Sequence, residues 1–195
     1  RKKLNGVVVT PQAIVSDLKG KGSIPPHFLY YGTFVHISSK RGSNAVISAP
    51  DLSRWLIRGT QVKPLGYKLA DKPTGARLVR EAIRFLGVPY LWGGISPAGF
   101  DCSGLVRTIC GRYGLYLPRD TKDQIGVGRH IERSEARTGD LLFFRRHVGF
   151  AIGSDKLIHA SRGGSGVRIN SLVAGEKDYR PDLDRDFQEA RRVLK

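Results

Sequence analysis

The sequence predicts an α+β fold preceded by a small all-β unit, and three observations support this prediction. Residues 1–69 contain short alternating or β-branched runs separated by Gly, Pro, Ser and Asn, which is typical of short strands and tight turns. Residues 76–112 contain two segments with helical spacing, and four apolar runs follow between residues 140 and 170. Helices followed by successive strands indicate the α+β class. We therefore expect a β domain at 1–69 and an α+β domain at 70–195.

The first domain is predicted to consist of short strands. These strands lie in the runs GVVVT, YGTFVHIS, NAVIS and RWLIRG. A barrel of about five strands fits a domain of this size. The segment LADKPTG, residues 69–75, is typical of a linker that leads into a helix.

Two helices and a short third one are predicted to open the second domain. The first covers residues 76–87, where the apolar positions fall on one helical face: Leu78, Val79, Ala82, Ile83 and Leu86. A glycine at position 87 is a typical helix end. The second helix begins at Cys102 and has an apolar stripe that includes Ile109 and Cys110. A third, short helix is predicted to follow the segment PRDTKDQ, residues 118–124.

The remaining predicted strands are DLLFF (140–144), HVGFAI (147–152), KLIHA (156–160) and GVRIN (166–170). The C-terminal run DFQEARRVLK fits a strand or a helix. A hairpin that turns at Ser154 and Asp155 would pair Phe150 with His159. His147 would then lie on the opposite face, about 10 Å along the strand. Strand spacing alone therefore does not predict a contact between the two histidines.

The chain is strongly basic, with 33 Lys and Arg against 17 Asp and Glu and a net charge of +16. Such a charge indicates an anionic surrounding: nucleic acid, an acidic membrane surface or a polymer such as a cell wall. The basic residues are scattered and no nucleic-acid-binding motif accompanies them, so no nucleic acid is expected. No apolar run approaches 18 residues, so we expect no transmembrane segment. The chain lacks methionine, which suggests a removed secretion signal or a trimmed N-terminus.

Two cysteines are present, Cys102 and Cys110. On one helix they would lie about 12 Å apart, which is too far for a disulfide, and their spacing does not predict a metal site. Cys102 follows Asp101 at a helix start, where unpaired N–H groups favour a thiolate. We predict Cys102 as a nucleophile, with a buried structural cysteine as the alternative. Cys110 lies on the apolar stripe and is predicted to belong to the core.

A nucleophilic cysteine requires a base, which is usually histidine. His147 and His159 lie in the predicted apolar strands, where a buried polar ring needs a hydrogen-bond partner. We predict that Cys102, His147 and His159 form one catalytic set. The other three histidines are predicted to be structural or solvated: His27, His36 and His130.

Six segments between residues 77 and 172 occur in the order and spacing of a known family: PYLWGG (89–94), GFDCSGLV (99–106), LPRDTKDQ (117–124), GDLLFF (139–144), HVGFAI (147–152) and LIHAS (157–161). In these segments the chain resembles the NlpC-type papain-like cysteine peptidases of bacterial cell walls. The resemblance implies a papain-like domain in which helices pack on an antiparallel sheet. The N-terminal unit resembles a bacterial SH3 (SH3b) domain, which implies an SH3-like barrel.

The resemblance also implies roles for individual residues. Cys102 matches the nucleophile, His147 the base, and His159 the third polar residue that orients the base. Tyr90 matches the position beside the nucleophile whose hydroxyl helps to stabilise the oxyanion. No cofactor is implied.

In one subgroup the residues that flank the nucleophile hold the free amine of an N-terminal L-alanine. Asp101 and Ser103 match these positions, although helix capping alone also explains Asp101. A residue of the SH3b domain also lines the cleft in such proteins, and four candidates stand in that part of the sequence: Tyr30, Tyr31, Asp51 and Trp55.

The implied reaction is cleavage of the bond between γ-D-glutamate and a diamino acid, meso-diaminopimelate or lysine, through a thioester. An acyltransferase or amidase that uses the same site is one alternative, and a non-catalytic wall-binding module is another. The implied partners are peptidoglycan or its stem peptides, bound by a monomer. A secreted, periplasmic or wall-associated location is expected, with cytoplasmic recycling of wall peptides as the alternative.

Overall fold

The computed structural model describes residues 3–18, 27–48, 54–64 and 73–194. The chain divides into two compact units, residues 1–71 and 72–195. The domain boundary expected between residues 69 and 70, and most of the predicted linker, lie outside the described residues. None of the helices in the described ranges is long and apolar enough to cross a membrane.

The first unit contains one antiparallel sheet. Its strands are β1 (Gly6–Val8), β2 (Gln12–Asp17), β3 (His27–Tyr30), β4 (Phe34–Arg41), β5 (Asn44–Ser48), β6 (Arg54–Arg58) and β7 (Val62–Pro64). The spatial order is β3-β2-β6-β5-β4-β1-β7. The described residues thus form seven strands rather than the expected five. The sequence pattern did not predict β2, β3 or β7. Strands β3 and β7 are the two edge strands of the sheet, and β2 lies next to β3.

A small apolar core stabilises this sheet. Its buried members are Val8, Ala13, Val15, Val35, Ala45, Ile47, Ile57 and Val62. These positions come from six different strands, so the core forms only when the strands pair. Burial of each Val or Ile side chain contributes about 1.5–3 kcal/mol.

Residues 73–194 of the second unit form four α-helices and eight strands. The helices are α1 (Gly75–Ile83), α2 (Cys102–Arg112), α3 (Thr121–Gln124) and α4 (Pro181–Arg185). The strands are β8 (Ile95–Ser96), β9 (Gly99–Phe100), β10 (Arg129–Ile131), β11 (Leu141–Phe144), β12 (His147–Ile152), β13 (Lys156–Ser161), β14 (Gly166–Ser171) and β15 (Phe187–Arg192). Six strands form an antiparallel sheet in the order β10-β15-β11-β12-β13-β14. Helices α1 and α2 pack on β12 and β13.

Several predicted elements are confirmed. Helix α2 begins at Cys102 as predicted, and its residues Leu105, Ile109 and Cys110 are fully buried. Both cysteines are free thiols. The undecided C-terminal run forms strand β15, which lies between β10 and β11.

Helix α1 is shorter than predicted. It ends at Ile83 rather than at residue 87, and the chain then turns so that Phe85 is fully buried. The ring of Phe85 packs edge-on against Phe100, with centroids 5.2 Å apart. Gly87 has a φ of 80°, a conformation that lets the chain reverse after this turn.

The predicted register of the β12–β13 hairpin was wrong by one residue. The structure pairs Phe150 with Ile158 and Ile152 with Lys156. The turn therefore contains three residues, 153–155, and Gly153 takes a φ of 73° that suits such a turn. A shift of one residue moves every side chain to the other face of a strand. His159 consequently lies on the same face as His147.

Candidate active site

The first element of the site is the N-terminus of α2. Asp101 has an extended backbone, and its Oδ1 accepts the N–H of Gly104 at 2.7 Å, so it caps the helix as predicted. A Cβ at position 104 would lie 2.1 Å from the carbonyl oxygen of Gly94. Gly104 is therefore required because the loop before the helix packs directly against its first turn. This packing leaves Cys102 with 8% of its surface exposed.

The thiol of Cys102 lies at a cleft of about 720 Å³. Its Sγ lies 3.8 Å from the hydroxyl oxygen of Thr121, and the backbone N–H groups of Ser103 and Val148 also donate to it. Val148 directly follows His147, so the thiol lies beside β12, the strand that carries His147. No simple sequence pattern predicted the contact with Thr121.

Burial raises the pKa of the Cys102 thiol. The Thr121 hydroxyl and the two backbone N–H groups lower the pKa, and the carboxylate of Asp101 raises it further. The N–H of Ser103 at the helix terminus thus lowers the pKa as expected, but desolvation of the sulfur outweighs the donors, so the net shift is upward and not downward. Burial thus favours the neutral form of the thiol.

His147 and His159 are in direct contact. Nε2 of His147 lies 2.6 Å from Nδ1 of His159, and the two rings meet nearly edge to face. Nε2 of His159 lies 2.9 Å from Oδ1 of Asn170, and Nδ2 of Asn170 donates to the carbonyl of Asp178 at 2.9 Å. Four groups from β12, β13, β14 and the following turn thus form one hydrogen-bonded chain.

The direction of every proton in this chain follows from its last member. The carbonyl of Asp178 only accepts hydrogen bonds, so the amide nitrogen of Asn170 faces it and the amide oxygen faces His159. His159 must then donate from Nε2 and accept at Nδ1. His147 therefore donates from Nε2, which leaves its Nδ1 without a proton. These hydrogen bonds hold His147 in the tautomer whose Nδ1 carries no proton, as a general base requires.

Both imidazoles are held neutral. Burial lowers the pKa of His147, and the neighbouring His159 and Arg180 lower it further. Burial also lowers the pKa of His159 to about 4, and the hydrogen bond to Asn170 opposes this shift only in part. These shifts favour the neutral form of both rings.

The carboxylate of Asp101 has several partners besides Gly104. It accepts the N–H of Gly93 at 2.8 Å and forms a two-point ion pair with the guanidinium of Arg119. Arg119 also donates to the hydroxyl of Ser103 at 2.9 Å. The segment LPRDTKDQ, which contains Arg119, is part of the family resemblance, but the sequence alone predicted no role for this residue. Asp101 and Ser103 both line the cleft, and their binding of an amine stays a prediction.

Tyr90 lines the same cleft as Cys102. Burial raises the pKa of the Tyr90 hydroxyl, and the nearby Cys102 and Asp101 raise it further. The hydroxyl is therefore protonated at neutral pH and available as a donor. Its backbone N–H is anchored to the carbonyl of Ser165 at 3.3 Å.

Four candidates from the N-terminal part of the chain remain predictions. Tyr30, Tyr31 and Trp55 belong to the first unit, and Asp51 lies outside the described residues. No group of three or more His, Cys, Asp or Glu side chains in the described ranges is arranged to hold a metal ion.

Comparison with known proteins places the chain in a family. The sequence model of the NlpC/P60 family matches residues 87–180. A probable endopeptidase of Haemophilus influenzae is 36% identical over 126 residues, which cover 60% of this chain and 74% of that protein. The chain belongs to the NlpC/P60 family. The family predicted from the sequence is thereby confirmed, and the mixed α/β fold of the second unit is the NlpC/P60 fold.

Two further relatives match nearly the whole chain. The γ-D-glutamyl-L-lysine dipeptidyl-peptidase of Bacillus subtilis is 38% identical over 185 residues, which cover 91% of this chain and 60% of that protein. The crystal structure of an NlpC/P60 family protein from Bacillus cereus superposes with a TM-score of 0.84 at 27% identity, over 98% of this chain and 63% of that chain. The chain thus spans about 60% of the length of these relatives.

Proposed function

We propose that this protein is a peptidoglycan hydrolase, a cysteine peptidase that cleaves the γ-D-glutamyl–diamino acid bond of murein stem peptides through a thioester. The hydrogen-bonded chain from His147 to Asn170, beside the thiol of Cys102, carries this proposal. Family membership supports it, as does the likeness to a γ-D-glutamyl-L-lysine dipeptidyl-peptidase.

The first half of the reaction forms the thioester. Nδ1 of His147 takes the proton of the Cys102 thiol while Sγ attacks the γ-glutamyl carbonyl carbon. The negative charge that develops on the carbonyl oxygen is stabilised by the backbone N–H of Cys102 and the hydroxyl of Tyr90. The protonated His147 then gives its proton to the amine of the diamino acid, the C–N bond breaks, and the amine leaves.

The second half of the reaction releases the product. His147, neutral again, takes a proton from water, and the hydroxide attacks the thioester carbon. The C–S bond breaks and the proton returns to the sulfur, which regenerates the resting site. Burial raises the pKa of the thiol and lowers the pKa of both imidazoles, which favours proton transfer to His147 during the attack.

Mass spectrometry of peptide digests tests this proposal. The full chain is expected to split L-Ala-γ-D-Glu-L-Lys or its diaminopimelate counterpart into L-Ala-D-Glu and the free diamino acid. Cys102→Ala is expected to abolish the cleavage. Cys110→Ala removes the other thiol, which lies in the core, and is expected to retain it. Cleavage that persists in Cys102→Ala would contradict the proposal.

The same digests distinguish the alternative reactions. An acyltransferase would pass the L-Ala-γ-D-Glu acyl group to an added amine such as hydroxylamine or glycine methyl ester in preference to water. A non-catalytic wall-binding module would leave every peptide intact. The complete Cys102, His147 and His159 set favours catalysis, since binding alone has no use for an oriented base.

We also propose that residues 1–69 form an SH3b domain and that the protein acts at the cell wall, outside the cytoplasm. The seven-stranded antiparallel sheet of short strands and the match to the Bacillus cereus structure over 98% of this chain support the first point. The net charge of +16 favours association with an anionic wall. Cosedimentation of the full chain with isolated sacculi, weakening as salt is added, is expected.

A further inference from the structure

The turn between β11 and β12 consists of two arginines. Phe144 pairs with His147, so Arg145 and Arg146 alone connect the strands. Both side chains are exposed, and both line the cleft that contains Cys102. The backbone N–H of Arg145 donates to the carbonyl of Asp186 at 3.0 Å, which anchors the turn.

Arg146 has a left-handed backbone, with a φ of 60°. Glycine or asparagine is the usual residue in this conformation, which disfavours a long side chain. Strained residues of this kind persist mainly where function requires them. The side chain of Arg146 is therefore the feature to be explained.

Neither guanidinium of the turn forms an ion pair or a side-chain hydrogen bond with any residue in the described ranges. The cleft offers little negative charge for them, because the carboxylate of Asp101 is already paired with Arg119. Apart from Arg119, three cationic side chains line the cleft: Lys122, Arg145 and Arg146. The cleft has only one further carboxylate in its lining, that of Asp120. A cleft of this composition favours an anionic ligand.

We propose that Arg146, in the Arg145–Arg146 turn, binds a free carboxylate of the leaving diamino acid, an inference that rests on the proposed function. His147 protonates the leaving nitrogen, and Arg146 precedes His147 by one peptide bond, so the turn lies on the leaving-group side. The α-carboxyl carbon of a terminal diamino acid is two bonds from that nitrogen. A guanidinium pairs with such a group through two parallel hydrogen bonds.

When the stem peptide continues beyond the diamino acid, this carboxylate becomes a neutral amide. The turn therefore selects stems that end at the diamino acid.

Paired substrates test this inference. L-Ala-γ-D-Glu-L-Lys and its C-terminal carboxamide differ only in the proposed ligand. The full chain is expected to prefer the acid by about tenfold or more in kcat/KM. Arg146→Gly removes the guanidinium and suits the left-handed backbone, so the Tm of this variant is expected not to fall. The ratio of kcat/KM for the acid to kcat/KM for the amide is expected to drop toward one. Arg146→Asn is a second variant that tolerates the same backbone.

Arg80→Ala is the matched control, since it removes one exposed positive charge from α1, which does not line the cleft. It is expected to keep the preference of the unmodified protein. Equal hydrolysis of acid and amide would overturn the inference and leave the proposed function intact. A preference that survives in both Arg146 variants, or that is lost equally in Arg80→Ala, would also overturn it. Failure to cleave either peptide would refute the proposed function, and the inference with it.

Discussion

At the residue scale, Asn170 determines which nitrogen of His147 acts as the base. Its side chain touches neither the thiol nor the cleft, and it acts only through His159. Because each hydrogen bond in the chain fixes the proton of the next, one amide sets the protonation pattern of two rings. Asn170 is thus a positioning residue that the sequence pattern did not reveal.

Substitution of Asn170 is expected to change the pH dependence of the reaction. Asn170→Asp places a negative charge beside His159, which raises the pKa of the imidazoles. Their pKa values are lowered in the unmodified protein, so its kcat/KM should stay high well below pH 6.5, whereas in Asn170→Asp the acid limb should move to higher pH. Asn170→Ala is expected to lower kcat by about 100-fold with little change in KM. Identical pH profiles would show that Asn170 is merely structural.

Gly149 makes room for the contact between the two histidines. A Cβ at this position would lie 2.9 Å from Cβ of His159 and 3.0 Å from the carbonyl oxygen of Ile158, which is too close for ordinary packing. No side chain fits without displacing the ring that orients His147. A glycine two residues after the base is thus part of the site.

Gly149→Ala is expected to lower both the Tm and kcat/KM. The matched control is Gly111→Ala in helix α2, because a Cβ at Gly111 meets nothing within 4 Å. That substitution is expected to stabilise the protein by up to about 1 kcal/mol and to leave activity unchanged. Thermal melts and steady-state kinetics of the two variants measure the difference. An unchanged kcat/KM in Gly149→Ala would show that His159 tolerates displacement.

At the element scale, the start of α2 depends on one carboxylate. Asp101 caps the helix at Gly104, fixes the preceding loop through Gly93, and pairs with Arg119. These bonds hold Cys102 at the first helical position. The cap and the ion pair therefore stabilise the same element that presents the nucleophile.

Asp101→Ala is expected to lower the free energy of unfolding by at least about 1–2 kcal/mol from the lost cap alone, and by more because Arg119 loses its partner. Asp120→Ala is the control, since Asp120 precedes α3 but makes no side-chain cap. It is expected to change stability by less than about 0.5 kcal/mol. Urea denaturation of both variants makes the comparison, and equal losses would contradict the special role of Asp101.

At the scale of the whole molecule, the buried histidines make the stability of the second unit depend on pH. The pKa of His159 is about 4 in the folded protein and about 6.5 when unfolded. Between these values the unfolded state binds more protons, so stability rises with pH. The contribution is complete above about pH 6.5 and is lost as the pH falls toward 4.

Amide hydrogen exchange in β12 and β13 measures this effect. After correction for the chemical exchange rate, the free energy of opening is expected to decrease by up to about 3 kcal/mol as the pH falls from 6.5 to 4.5. In His159→Asn the dependence should be weaker, because one of the two buried rings is absent. Constant protection over this range would show that the rings are solvated and titrate normally.

The sequence by itself determined the family, the element that presents Cys102 and the strands that carry His147 and His159. Each of these is encoded in residues that are close along the chain, as a capped helix start or as a short apolar run.

The tertiary structure alone decided how those pieces meet. The turn at Gly153 set the register that brings the histidines together, and Arg119 and Asn170 reached the site from 18 and 11 residues away along the chain. Burial of the thiol reversed the expected direction of its pKa shift. Strand β15 was recognisable only once it lay between β10 and β11. The spacing of residues along the sequence predicts the geometry within one helix or strand. Strand register, burial and charge pairing depend instead on contacts between segments that are remote in the sequence.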